Sequence, residues 1–173
     1  EKLASIEAQR FDNGRMWTFD YPPYEYFEEE YDFTPSQEWM DDVRMSALRF
    51  ATYCSASFVS ADGLVMTNHH CGRQAVETVS KEGENLSRDG FIAETLADER
   101  QVEGLFVEQL VEIRDVTQEV ISAMDAADTD EGRLTARDDK ITQLEEEISV
   151  ETGNRCQLVT FFTGGKYAAY IFK

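Results

Sequence analysis

The chain has 173 residues, 42% of them hydrophobic and 12% aromatic, which is enough for about one domain with a buried core. Its 35 acidic residues against 16 basic ones give a net charge of -19. That balance speaks against nucleic acid, which needs clustered cations, and against an anionic membrane surface, and no apolar run approaches the ~20 residues of a membrane span.

Residues 1–10 are charged and mixed. They read as a short polar helix or a frayed end, with no signal peptide. Residues 11–35 are aromatic-rich and interrupted by Pro22-Pro23, a pairing expected to prevent a regular helix there. The segment reads as a wrap anchored by its aromatics, with Trp17 and the later Trp39 taken as core. Ser36 opens a helix that continues to Ala47, with Trp39, Val43, Met45 and Leu48 as its apolar positions.

From Phe50 the residues become small, apolar and β-branched, and Asp62-Gly63 is a hairpin turn signal. Residues 50–67 therefore read as a β-hairpin ending at Asn68-His69-His70-Cys71. Arg73 to Ser80 reads as one or two helical turns, and residues 83–90 as a polar loop. Residues 104–116 alternate like a strand, and residues 117–124 are ambiguous. Residues 125–132 read as an acidic link. Asp128 and Asp130 give it a superficial likeness to a calcium loop, which fails because Gly132 stands at a ligand position and no Glu occupies the twelfth. Residues 134–150 carry a helical stripe of Ile141, Leu144 and Ile148, with Gly153 as its stop. Residues 156–162 and 167–172, around Gly164-Gly165, form a second hairpin signal. The pattern breaks off inside an apolar strand, so further sequence is expected beyond Lys173.

The chemistry concentrates between Cys54 and Cys71. A hairpin brings its ends together, so a disulfide between these two cysteines is geometrically reasonable and would contribute about 3 kcal/mol in the chain-entropy account. Three cysteines leave one over, and Cys156 reads as a small buried hydrophobe or as a partner for a cysteine elsewhere. The two histidines of the chain are His69 and His70. Alone, they fit ordinary packing, metal ligation with nearby cysteine, or a general base. Adjacent residues of an extended strand face opposite ways, which disfavours a shared metal, whereas an imidazole fixed beside a disulfide suits proton transfer near neutral pH.

The run Ser57-Phe58-Val59-Ser60, Asp62-Gly63-Leu64 and Thr67-Asn68-His69-His70-Cys71-Gly72 resembles the histidine motif of chymotrypsin-fold serine peptidases. The doubled histidine is closest to the bacterial dipeptidyl-peptidase 7 and 11 family, peptidase family S46. Gly14 to Asp20 with Pro22-Pro23, Val43 to Ser46, and Phe161-Phe162 with Gly164-Gly165 and Tyr167 resemble that family too. Residues 117–150 match weakly.

The resemblance implies a mainly β fold with helices (α+β), a chymotrypsin-like double β-barrel. This chain would supply an N-terminal extension over residues 1–49 and most of the first barrel over residues 50–173, with the family's helical domain lying further on. It implies a serine-type dipeptidyl-peptidase that takes peptides with a free N-terminus, needs no cofactor or metal, and works in the periplasm or at the cell surface, often as a homodimer. His70 would be the catalytic base and Cys54–Cys71 the disulfide. The family's aspartate and serine have no counterpart in these residues, so the fragment alone is expected to be inactive. A catalytically dead peptide-binding homologue and an endopeptidase of the same fold are the competing readings.

Overall fold

The computed structural model describes residues 17–173. The expected polar helix at residues 1–10 and the Gly14 to Met16 part of the N-terminal signature lie outside them. The chain divides into two compact units, residues 1–44 and 45–173.

In the first unit, helix α1 spans Tyr24–Tyr31 and starts directly after Pro22-Pro23. The prolines do not exclude a helix here because they precede it. A proline in or before the first turn sacrifices no intrahelical donor, and the Pro23 carbonyl accepts the amide of Phe27 at 3.1 Å. Asp32 ends the helix in the left-handed region, returning its amide to the Glu28 carbonyl. Tyr26 is buried, and its ring meets Trp17 at 5.2 Å and Tyr31 at 5.7 Å. Phe33 meets Trp39 edge-on at 5.2 Å. Aromatics do anchor this segment, yet Trp17 and Trp39 keep 41% and 45% of their surface exposed and are not core. Helix α2, Gln37–Ser46, begins where Ser36 Oγ accepts the amide of Trp39, an N-cap contact.

The second unit is mixed α/β around an antiparallel sheet of six strands, in the order β3-β2-β1-β4-β6-β5. The strands are β1 Ala47–Phe50, β2 Cys54–Phe58, β3 Val65–Thr67, β4 Val107–Asp115, β5 Arg155–Phe161 and β6 Lys166–Phe172. The expected hairpin forms between β2 and β3, and β1 adds a third antiparallel strand ahead of it. Leu48 sits in β1 rather than on α2, because pairing Leu48 with Ala56 and Gln109 buries it between two neighbours. The tight connection from β1 to β2 uses Ala51 at positive φ, its amide held by the Phe106 carbonyl. Gly63, also at positive φ, makes the β2–β3 turn at the predicted place.

Helix α5, Thr117–Asp125, resolves the ambiguous stretch, and α6, Asp130–Thr152, begins earlier than its apolar stripe because Thr129 caps it through the amide of Gly132. Asp125, at the start of the acidic link, pairs with Arg133 at 2.8 Å. Gly153 stops α6 in the left-handed conformation that glycine adopts freely. The two helices pack on β5 and β6 through Val120, Leu144, Ile148, Cys156, Tyr167 and Ile171. Cys156 is buried and free. Burial foremost, and then the Glu145 carboxylate, push its thiol up, away from the reactive thiolate.

Between α3 (His69–Thr78) and β4 the chain forms a short helix α4, Leu86–Asp89, where a loop was expected, and a single 3-10 turn at Leu96–Asp98. An arginine pins this excursion. Arg100 grips Glu84 at 2.6 and 2.9 Å, donates to the Val79 carbonyl at the end of α3, and lies 4.8 Å from the centre of the Phe91 ring. The Arg100 guanidinium first, and then the Lys81 amide, hold the Glu84 carboxyl down at about 2. A group ionised to lower pH when folded stabilises above its ordinary value and loses that contribution as pH falls through the depressed one. Acidification from pH 4.5 towards 2 is therefore expected to loosen residues 79–100, read as faster amide exchange there. Arg100→Gln should expose the same segment at neutral pH and flatten the acid response.

Candidate active site

Strand β3 sits at one end of the sheet, and Asn68 turns the chain from it directly into α3. Sequence reading started this helix at Arg73, on the view that the histidines end a strand. In the structure both belong to the first helical turn, because Asn68 takes the extended N-cap conformation and its carbonyl accepts the Cys71 amide at 3.0 Å. The two rings are therefore set about 100° apart around an axis instead of on opposite faces of a sheet.

Cys54, the first residue of β2, is joined to Cys71, with the Cα atoms 6.2 Å apart. Cys71 is almost wholly buried, against Phe50 and Ala51. Two further contacts brace the junction. Thr67 Oγ1 donates to the Ser55 carbonyl at 2.9 Å, and the Tyr53 hydroxyl donates to the Cys71 carbonyl at 3.2 Å. The Tyr53 contact was not legible in the sequence, since its acceptor is a backbone atom eighteen positions away.

His70 is exposed, while a nitrogen of its ring and both sulfurs lie within 4.8 Å of one another. Those three atoms would suit a soft cation only if the sulfurs were thiolates. Both are consumed by the disulfide, which leaves one imidazole, fewer donors than a zinc site requires. What the arrangement offers is a solvent-facing imidazole on a covalently braced turn, free to exchange a proton with a group brought to it. His69 faces an open groove of about 920 Å³ between β3, α3 and α4.

A sequence profile for Peptidase S46 matches residues 11–173. The chain belongs to the peptidase S46 family. It is 27% identical over 133 residues to dipeptidyl-peptidase 7 of Capnocytophaga gingivalis, covering 77% of this chain and 19% of that protein. It is 32% identical over 135 residues to an Asp/Glu-specific dipeptidyl-peptidase of Porphyromonas endodontalis, covering 75% of this chain and 18% of that protein. The crystal structure of Porphyromonas endodontalis DPP11 in complex with substrate superposes with a TM-score of 0.62 at 27% identity, over 83% of this chain and 21% of that one. The S46 chain described here thus spans about a fifth of the length of these relatives.

Closing a loop with a sequence separation of 17 is worth about 3 kcal/mol in the chain-entropy account. Cys54→Ser with Cys71→Ser, or reduction with a dithiol, is expected to lower unfolding stability by about that amount. Denaturant titration with and without reductant measures it.

Proposed function

We propose that this S46 chain is part of a serine-type dipeptidyl-peptidase that releases dipeptides from the free N-termini of peptides, with His70 as the general base. The observation that carries the reading is the exposed His70 ring against the Cys54–Cys71 bridge on the first turn of α3. The names of the relatives, all dipeptidyl-peptidases, support the substrate class.

In this reading the six strands contribute most of the first barrel of a chymotrypsin-like pair. The remaining four-fifths of the relatives' length accounts for the second barrel, the helical domain, and the serine and aspartate. A serine hydroxyl from that remainder attacks the carbonyl after the substrate's second residue. His70 takes the hydroxyl proton and returns it to the leaving amine, while the aspartate orients the imidazole and backbone amides receive the oxyanion. A disulfide bracing the base suits an oxidising compartment, the periplasm or the cell surface.

The test uses the full-length enzyme and chromogenic substrates with a dipeptide ahead of the leaving group. His70→Ala is expected to lower kcat/KM by roughly 10³-fold or more, as removal of a triad base does elsewhere. His69→Ala should retain most of the activity. Unchanged cleavage by the His70 variant would overturn the assignment, and absence of dipeptide release by the unaltered enzyme would overturn the function.

A further inference from the structure

The groove beside His69 differs in charge from the rest of the molecule. The chain carries 35 acidic residues, yet among the described residues none lines this groove. Its polar walls instead present His69, Arg73 and Arg88, between apolar surfaces that include Met66, Val76 and Phe91. His69, Arg73 and Val76 recur at the spacing of one helix face, so α3 turns a single stripe towards the groove.

The two arginines are not equivalent. Arg88 is held by Asp89 through contacts of 2.6 and 2.7 Å. Arg73 is exposed and, among the described residues, has no ion pair. It follows His70 by three positions on α3, which places the two Cβ atoms about 5–6 Å apart. A guanidinium with five donors is shaped for bidentate contact with a carboxylate. A free one, one helical turn from the proposed base and in a groove without acidic groups, is complementary to an acidic side chain.

Resting on the peptidase reading above, we propose that Arg73 is a specificity residue for the part of the peptide substrate that follows the scissile bond. The groove receives that extended segment against its apolar walls, and Arg73 engages an aspartate or glutamate side chain within it. The occupant is the leaving portion of the substrate, because a dipeptidyl-peptidase holds only two residues ahead of the cleaved bond and all further chain must pass the base on the other side.

Peptides of the form dipeptide–tail, each amidated at the C-terminus so that no terminal carboxylate competes, test this with the full-length enzyme. The tails carry Asp, Asn or Lys at the first, second or third position after the cleaved bond. The unaltered enzyme is expected to prefer an Asp tail to a Lys tail at one of these positions by about tenfold in kcat/KM, the amount set by one charge-assisted contact. Arg73→Gln should abolish the preference, Arg73→Glu should reverse it, and Arg73→Lys should keep part of it, which separates a charge effect from damage to the fold. Equal cleavage of Asp and Lys tails at all three positions, or a preference that survives Arg73→Gln, overturns the proposal. Dipeptide release from the chromogenic substrates, which carry no tail, reports separately whether the peptidase reading itself stands.

Discussion

A single covalent constraint organises the informative part of this molecule. The bond between Cys54 and Cys71 ties the first residue of β2 to the first turn of α3. Three edges of the fold meet there: the β1–β2 turn, the short edge strand β3 and the helix. A three-residue edge strand has little pairing of its own and would slip or fray if left to it. With the sulfurs joined, and with Tyr53 and Thr67 adding side-chain hydrogen bonds to neighbouring carbonyls, the place where the chain leaves the sheet is fixed from both sides. His70 inherits that order while staying open to solvent. A proton-transfer group needs both properties, a defined direction and an accessible nitrogen.

The sheet and the α5–α6 layer bury an apolar centre around Val120, Tyr167 and Ile171 that supports β5 and β6. Nothing in that centre is chemically active, and its one free thiol is buried with its pKa raised. The disulfide-braced histidines and the groove beside them lie elsewhere, at the β3–α3 junction.

Much of the local structure was legible in the residues because local physics sets it. Ser36 caps a helix as its side chain dictates, Gly63 and Gly153 stand where positive φ is needed, and the alternation around Val107 to Asp115 is a strand in fact. The misreadings have two causes, override of local preference by partners distant in sequence, and helix boundaries misplaced by a few residues. Leu48 leaves the helical pattern because Ala56 and Gln109 flank it in the sheet. His69 and His70 look like a strand end until the Asn68 cap is seen to begin the helix four residues before Arg73. Pro22-Pro23 precede a helix instead of preventing one. The bond between Cys54 and Cys71 was readable from the hairpin between them, whereas the Tyr53 hydrogen bond and the uncommitted guanidinium of Arg73 required the folded neighbourhood.

Of the two adjacent imidazoles, the one proposed as the base is that of residue 70, held in place by the sulfur bridge. A dipeptide chloromethyl ketone with a free amino end, incubated with the full-length enzyme and followed by peptide mass mapping, addresses both halves at once. The expected result is alkylation of His70 alone, with labelling suppressed in a Cys54→Ser, Cys71→Ser variant that lacks the bridge. Alkylation of His69, or equal labelling of His70 with the bridge open, would contradict it.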